Sequence, residues 1–222
     1  MVPVVVQPLS THTAIKRLRI SFMIHPSRLT SAANSSIPIA SSIIRRTRRC
    51  QRLAMNVIVT PALRAQEPII QNLVQLYTHD FSEFWAGTPR GDLRPDGRFD
   101  PYPLDGYWTR PGWSAVLISS SGVLAGFALI NDQARSGQPV DHNVGEFFIL
   151  RKHRGHGVGR RAAEAIFSQA PGSWEVAVAR KNVAAGEFWR KTIDAPQASN
   201  IHELDVATDQ WNGPVFRFAW RT

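Results

Sequence analysis

One segment constrains this chain more than any other: an apolar strand pattern that leads into a glycine-rich, basic turn and then into a helical pattern. Residues 146–150 are EFFIL, residues 151–161 are RKHRGHGVGRR, and an alanine-rich helical pattern continues to residue 170. Glycine allows positive φ and close approach of a ligand, and the first N–H groups of a helix lack partners within it. Because five Lys or Arg side chains surround these groups, the segment predicts a binding site for an anion such as a pyrophosphate.

The spacing of the glycines argues against two common phosphate-binding motifs. A dinucleotide-binding G-x-G-x-x-G would need glycine or a near equivalent at Arg160, and an acidic residue after the next strand, where Arg180 and Lys181 stand. A P-loop requires Gly-Lys-Ser/Thr, which the sequence lacks. We therefore expect neither a Rossmann dinucleotide site nor nucleoside triphosphate chemistry. The alternative to an anion site is a glycine-rich turn that packs a helix on a strand without a ligand.

The net charge of +9 resides entirely in the N-terminal quarter of the chain. Residues 1–54 contain nine Lys or Arg and no Asp or Glu, whereas residues 55–222 carry 17 basic and 17 acidic side chains. The Ser/Arg-rich stretch has three interpretations: an organelle presequence, a basic arm for nucleic acid or anionic membrane, or sequence ahead of a true start at Met55. We expect residues 1–54 to be a disordered basic extension or absent from the mature protein, and residues 55–222 to form the domain.

From residue 55 onward, the apolar patterns predict the element order β-α-loop-β-β-β-α-β-α-β-β. Strands are predicted at 56–62, 113–120, 123–131, 144–150, 174–179 and, weakly, around 202–206 and 215–220; helices are predicted at 66–77, 158–170 and 182–193. Ser121 and Gly122 form a tight connection between the second and third strands. This order predicts an α/β (α+β) domain with a mixed sheet and helices packed on its faces.

Two motifs within this framework resemble those of the GCN5-related N-acetyltransferases (GNAT). Residues 154–159, RGHGVG, match the (Q/R)-x-x-G-x-(G/A) acyl-CoA motif and lie where that family has it, after the fourth strand and at the start of the third helix. Residues 182–189 resemble the N-x-x-A-x-x-[hydrophobic]-Tyr helix that follows the fifth strand. The resemblance covers residues 56–220 in element order, and EFFILRKHRGHGVGRRAA, FWRKTI and WNGPV further resemble a bacterial subgroup of predicted acetyltransferases. It implies a mostly antiparallel sheet of six to seven strands, with strands 4 and 5 splayed and helices on both faces.

The same resemblance implies an acetyl-CoA-dependent N-acetyltransferase, with acetyl-CoA as the co-substrate. Its pantetheine arm would pair with the backbone of Ile149, Leu150 and Arg151 as though it were another strand. The residues that would hold the pyrophosphate are Arg154, Gly155, His156, Gly157, Val158, Gly159 and Arg160. Asn182 would lie near the lower pantetheine arm or the thioester. Asparagine is also a preferred helix N-cap, and the two roles are compatible.

Glu146 is the candidate general base. An unperturbed lysine-like amine is almost entirely protonated at pH 7, so transfer to a primary amine calls for a base that acts directly or through water. Glu146 is the only ionisable residue in VGEFFIL, and apolar surroundings there would raise its pKa toward the working range. The alternative is an outward-facing or salt-bridged glutamate. We favour direct attack in a ternary complex, because Cys50, the only cysteine, lies outside the domain.

Trp189 departs from the family pattern. The tyrosine at this position often protonates the departing thiolate, and an indole N–H cannot act as an acid. Losing the tyrosine as an acid has a small effect if the thiol pKa stays near its usual value of about 8.5. The thiolate is then a good enough leaving group, and water or another hydroxyl supplies the proton. We expect Trp189 to pack in the core or line a pocket, with Tyr102 or Tyr107 as the nearby hydroxyl.

The segment 80–112 is dense in Gly, Pro and Asp and contains several aromatic residues. Long irregular segments inside a domain are usually functional or mobile, and the resemblance places this one at the acceptor side. Its acids up to residue 105 are Asp80, Glu83, Asp92, Asp96, Asp100 and Asp105, set against Arg90, Arg94 and Arg98. Acids interleaved with aromatics suit a cationic acceptor, either a small amine or a peptide amino group. The alternative is a solvated loop whose acids are balanced by its arginines.

Two other functions compete with acetyl transfer. A non-catalytic acyl-CoA-binding module is the alternative, because Trp189 replaces tyrosine and the role of Glu146 is open. Nucleic-acid binding by the folded domain is not expected, since the basic excess of the chain vanishes after residue 54.

A bound metal is not expected either, because His153 and His156 lack a nearby carboxylate and one cysteine builds neither a zinc site nor an intrachain disulfide. No apolar run approaches the length of a membrane span, so we expect a cytoplasmic protein without membrane contact and leave a homodimer open.

Deleting residues 1–54 should leave the melting temperature and acetyl-CoA affinity unchanged, because that stretch lacks core-forming periodicity. Thermal unfolding and calorimetry of the full chain and of residues 55–222 provide the comparison. A decrease of several degrees on deletion would show that the extension docks on the domain.

Overall fold

A computed structural model describes residues 56–221, so the predicted N-terminal extension lies outside the described residues. The strands are β1 (Val57–Pro61), β2 (Ser114–Ser120), β3 (Val123–Asn131), β4 (His142–Ile149), β5 (Gly172–Ala177), β6 (Ala198–Ala207) and β7 (Asn212–Trp220). The helices are α1 (Glu67–Ser82), α2 (Gly106–Thr109), α3 (Val158–Gln169) and α4 (Val183–Ile193), with short 3-10 turns at Arg64–Gln66, Glu83–Trp85 and Arg151–His153. The predicted element order is confirmed, apart from the short helix α2, which the sequence did not reveal within its Pro- and Gly-rich surroundings.

The strands form one seven-stranded sheet in the order β1-β2-β3-β4-β5-β7-β6. Neighbouring strands pair antiparallel except β4 and β5, which are parallel. This arrangement confirms the predicted mixed, mostly antiparallel sheet. Helix α3 provides the crossover that a parallel connection between β4 and β5 requires.

Two hydrophobic clusters cover the two faces of the sheet. On one face, α3 and α4 pack through residues such as Phe167 and Trp189 against Phe216, Phe218 and neighbouring strand residues. On the other face, α1 and α2 pack through Ile70, Leu73, Val74 and Tyr107 against β2 and β3. The sheet therefore has helices on both faces, as predicted, and β2 and β3 contribute residues to both clusters.

The pairing of β4 with β5 is short. It joins His142 with Trp174, Asn143 with Glu175 and Val144 with Val176, and then it stops. Strand β4 nevertheless continues to Ile149 along β3. The two parallel strands are therefore splayed beyond Val144, which confirms the predicted gap between strands 4 and 5.

A β-bulge at Gly145 changes the direction in which β4 presents its side chains. Leu129 of β3 pairs with Glu146, but the next residue, Ile130, pairs with Val144, so Gly145 is the extra residue. Regular alternation would place Val144 and Glu146 on the same face. Because of the bulge, Val144 packs toward α3 and α4, whereas Glu146 faces the tyrosines of the α1 side.

Within residues 56–221, none of the helices combines the length and the apolar character needed to cross a bilayer.

Replacing Gly145 by alanine should destabilise the domain by about 1–3 kcal/mol, the usual cost of overpacking. A Cβ at this position would lie 2.6 Å from Nδ2 of the buried Asn131. Gly186→Ala is the matched control, because a Cβ there would meet only the end of the Arg190 side chain at 3.5 Å, and alanine stabilises a helix interior by about 0.5–1 kcal/mol. Denaturant unfolding measures both, and equal effects would contradict the assignment of the bulge.

Candidate functional site

Glu146 is held by two tyrosines from distant parts of the chain. Tyr77 of α1 donates its hydroxyl hydrogen to Glu146 Oε2, and Tyr102 donates to Glu146 Oε1 at 2.9 Å. Glu146 is half-buried, and the aromatic rings of Phe127 and Phe148 pack edge-on against Tyr77. The carboxylate therefore lies in a largely apolar setting with one hydrogen-bond donor on each oxygen.

The surroundings of Glu146 act on its pKa in opposite directions. Burial raises the pKa above that of an ordinary glutamate, because it disfavours the charged form, and this effect prevails. The hydrogen bonds from Tyr77 and Tyr102 lower the pKa, as do the positive charges of Arg135 and Arg90. Both tyrosine pKa values lie above their usual range, chiefly through burial. The two hydroxyls therefore stay protonated and act as donors.

A hydrogen bond from a backbone amide fixes the orientation of Asn131 and its contact with Tyr107. The main-chain N–H of Gln133 donates to Asn131 Oδ1 at 3.0 Å, so Asn131 Nδ2 is the atom that donates to the Tyr107 hydroxyl, at 3.2 Å. Tyr107 and Tyr102 influence each other's pKa, and Tyr102 donates to Glu146. Asn131 and Tyr107 therefore belong to the polar surroundings of the tyrosine that holds the carboxylate.

The glycine-rich turn after β4 builds the predicted start of a helix. Gly157 takes a left-handed conformation (φ 78°, ψ 4°) and is the N-cap of α3. The first main-chain bond of the helix joins the Arg161 N–H to the Gly157 carbonyl at 3.1 Å. The N–H groups of Val158, Gly159 and Arg160 precede it and have no partner within the helix. Gly159 lies beside Ile149 and Phe188, so this helix start adjoins the end of β4 that is not paired with β5.

Asp80 contacts the glycine-rich turn, although no sequence pattern predicts an acid at this place. Asp80 of α1 binds Arg151 at 2.9 Å and Arg154 at 2.6 Å, one carboxylate oxygen for each arginine. Arg160 pairs with Glu164 of its own helix at 2.7 Å. The cationic turn is therefore partly neutralised within the fold, and only sheet topology brings Asp80 to it.

The backbone at the end of β4 is partly used. Leu150 donates its N–H to the Ala125 carbonyl, and its own carbonyl accepts from the His153 N–H, both at 2.8 Å. The Ile149 carbonyl accepts from Arg154 Nε at 2.7 Å. Both backbone groups of Leu150 already have partners. Of the three residues expected to pair with pantetheine, Ile149, Leu150 and Arg151, only Ile149 and Arg151 therefore stay candidates.

Asn182 and Trp189 have clear structural roles on α4. The Asn182 side chain accepts from the Ala185 N–H at 3.2 Å, so Asn182 is the N-cap of the helix. Trp189 is buried among Phe147, Phe167 and Phe188, and it therefore belongs to the core. Any contact of Asn182 with a thioester stays a prediction.

His153 and His156 lie in the turn, His153 half-buried and His156 exposed. In the part of the chain that the structure describes, no three His, Cys, Asp or Glu side chains cluster closely enough to hold a metal ion.

The sequence matches the acetyltransferase (GNAT) family over residues 70–193, which is more than half of its 222 residues. This match spans most of α1, the Glu146 network, the glycine-rich turn and α4. The chain therefore belongs to the GNAT acetyltransferase family, as its two motifs led us to expect.

Solved structures share the fold at low sequence identity. An acetyltransferase from Thermus thermophilus is 15% identical with a TM-score of 0.50, and the alignment covers 75% of this chain and 96% of that one. A GNAT-family acetyltransferase from Staphylococcus aureus is 8% identical with a TM-score of 0.49, covering 75% and 100% of the two chains. A search of the curated proteins found no match.

Removing the Tyr77 hydroxyl should raise the pKa of Glu146 further, because the carboxylate would lose a donor that favours its charged form. Carbon NMR titration of the labelled glutamate carboxyl in wild type and Tyr77→Phe measures this shift. Tyr107→Phe, which leaves both direct donors in place, is the control and should shift the pKa less. An unchanged or lowered pKa in Tyr77→Phe would contradict the network.

Proposed function

We propose that the protein transfers the acetyl group of acetyl-CoA to a primary amine by direct attack in a ternary complex. The observation that carries this proposal is the position of Glu146: a carboxylate with a raised pKa on β4, next to the splay between β4 and β5. A base with a pKa closer to neutrality takes a proton from an amine more effectively than an ordinary glutamate does.

The anion-binding features support acetyl-CoA as the co-substrate. The start of α3 offers free N–H groups and the positive end of the helix dipole, and the left-handed Gly157 at its N-cap leaves open space where a Cβ would be. We assign the pyrophosphate to Arg154, Gly155, His156, Gly157, Val158, Gly159 and Arg160. The backbone of Ile149 and Arg151 would pair with the pantetheine arm, and Asn182 would lie toward its lower end.

Bound acetyl-CoA supplies the thioester whose acetyl group is transferred. The amine nitrogen forms a bond to the acetyl carbon as the C–S bond breaks, and the amine proton passes to Glu146 directly or through water. Tyr77 and Tyr102 keep the carboxylate oriented, since each donates to a different oxygen. Solvent protonates the departing thiolate, because Trp189 is buried and its N–H is no acid.

A non-catalytic acyl-CoA-binding module is the second candidate, favoured by the replacement of the family tyrosine with Trp189. The Glu146 network weighs against it. A half-buried carboxylate aligned by two tyrosines is typical of a catalytic group, and binding of acyl-CoA alone does not require one.

Gly157→Asp should weaken acetyl-CoA binding about tenfold or more, because a carboxylate would face two phosphates at the helix start. Gly157→Asn is the matched control: asparagine has nearly the same shape, tolerates left-handed φ and carries no charge. Calorimetry of the folded variants measures both affinities. Equal affinities for Gly157→Asp and Gly157→Asn would remove the pyrophosphate from this turn.

Glu146→Gln should lower kcat at neutral pH by about a hundredfold, the lower end of the range for general base catalysis, and by less at high pH, where more of the amine is already neutral. Because the Glu146 pKa is raised, the wild-type rate should fall on acidification at a higher pH than an ordinary glutamate would give. Steady-state thiol release from about pH 6 to 10 measures both effects.

Glu203→Gln is the control for that experiment, since Glu203 forms a surface ion pair with Arg190 and should leave the profile unchanged. A ratio of mutant to wild-type rate that does not vary with pH would remove Glu146 from the mechanism.

A further inference from the structure

Asp80 differs from the other acids of the segment that precedes β2. Its side chain is 18% exposed, whereas the acids that follow it lie open to solvent: Glu83, Asp92, Asp96, Asp100 and Asp105. Each Asp80 oxygen binds one arginine of the turn after β4, Oδ1 binding Arg151 and Oδ2 binding Arg154. A mostly covered carboxylate with a cationic partner on each oxygen is held more firmly than an exposed ion pair.

Arg154 is held in turn from three directions. Its Nε donates to the Ile149 carbonyl at 2.7 Å, and its Nη2 donates to Asp80 at 2.6 Å. Its Cζ lies 5.5 Å from the centre of the Phe148 ring. Since Phe148 and Ile149 belong to β4 and Asp80 belongs to α1, the Arg154 guanidinium joins α1 to the end of β4.

The contacts of Arg154 lead to the carboxylate of Glu146. The Phe148 ring beneath Arg154 packs edge-on against Tyr77, with 6.0 Å between the ring centres, and Tyr77 donates to Glu146 Oε2. Tyr77 and Asp80 are three residues apart on α1, a spacing that places both side chains on one side of the helix. The ion pair and the tyrosine therefore share one turn of α1 and, through Phe148, one contact with β4.

We infer that Asp80 and Arg154 are positioning residues for the general base: their ion pair holds the turn of α1 from which Tyr77 orients the Glu146 carboxylate. This inference rests on the proposed function, in which Glu146 takes the proton of the amine. It also gives Arg154 a second role, because the same guanidinium belongs to the segment that we assign to the pyrophosphate.

The direction of a pKa change distinguishes position from charge. Burial raises the pKa of Glu146, and four groups lower it: Tyr77 of α1, Tyr102 of the segment before α2, Arg135 and Arg90. Neither Asp80 nor Arg154 is among these groups. Through direct electrostatics, loss of the Asp80 charge would lower the pKa of Glu146 and loss of the Arg154 charge would raise it. Through a displaced Tyr77, both losses would raise it, because a hydrogen bond that favours the carboxylate would weaken.

Asp80→Asn and Arg154→Gln should therefore both raise the pKa of Glu146, although they remove opposite charges. Carbon NMR titration of the labelled glutamate carboxyl in the full chain measures the pKa, and neither increase should exceed that of Tyr77→Phe. The acid limb of the kcat–pH profile should move to higher pH by a similar amount. Thermal unfolding verifies that each variant folds.

Two further variants test the path through Tyr77. Adding Asp80→Asn to Tyr77→Phe should cause no further increase, because the hydroxyl through which Asp80 acts is then absent. Arg154→Lys retains the charge but loses the planar fork that joins Ile149 to Asp80, so it should raise the pKa by less than Arg154→Gln does. A lowered pKa in Asp80→Asn, or increases that add fully in the double variant, would overturn the inference.

Asp205→Asn is the matched control. Asp205 also pairs with an arginine, Arg180, at 2.5 Å, but it belongs to β6 at the edge of the sheet. Its substitution should leave both the pKa of Glu146 and the kcat–pH profile unchanged.

Calorimetry with acetyl-CoA distinguishes a role toward the base from a role toward the coenzyme. Asp80→Asn should bind acetyl-CoA at least as tightly as the wild type, because the substitution removes a negative charge beside the proposed pyrophosphate site. A several-fold loss of affinity with an unchanged pKa of Glu146 would show that Asp80 serves the coenzyme, and it would overturn the inference.

The outcomes also separate this inference from the proposed function. If the wild type acetylates amines and neither Asp80→Asn nor Arg154→Gln moves the pKa or the kcat–pH profile, the inference is overturned while the proposed function stands. If acetyl-CoA binds but no amine is acetylated, the proposed function fails, and the assignment of Asp80 and Arg154 to a general base fails with it.

Discussion

The early end of hydrogen bonding between β4 and β5 is the constraint on which the rest of the site depends. Pairing stops after Val144 and Val176, although β4 continues to Ile149 on its other edge. Buried backbone N–H and C=O groups are costly to leave unpaired, so the gap favours a partner with alternating donors and acceptors. Because Gly159 lies beside Ile149, the same gap adjoins the start of α3, where we propose that the pyrophosphate binds.

The bulge at Gly145 lets one strand serve both faces of the sheet. Val144 contributes to the core beneath α3 and α4, and two positions later Glu146 meets Tyr77 and Tyr102 on the opposite face. The bulge demands glycine because the Asn131 side chain lies where a Cβ would be. Asn131 also donates to the Tyr107 hydroxyl, so the backbone irregularity and the polar groups on this face of the sheet share one residue.

Helix α1 connects the carboxylate with the proposed anion site. Tyr77 and Asp80 are three residues apart, a spacing that places two side chains on the same side of a helix. Tyr77 holds Glu146, and Asp80 holds Arg151 and Arg154. A single turn of α1 therefore positions both the carboxylate of β4 and the arginines of the turn after it, and a shift of this helix would disturb both.

The sequence by itself determined the elements other than the short helix α2, their order, the helix start with its glycines and the Asn182 N-cap, because periodicity and capping depend on residues close together in the chain. It also singled out Glu146, the lone ionisable residue of an apolar strand. Only the tertiary structure decided which face Glu146 occupies, since simple alternation would place it with Val144. The structure alone brought Tyr77 to it from 69 residues away and Asp80 to Arg154 from 74 residues away. Such contacts are set by strand register, the bulge and helix packing, which no local pattern encodes.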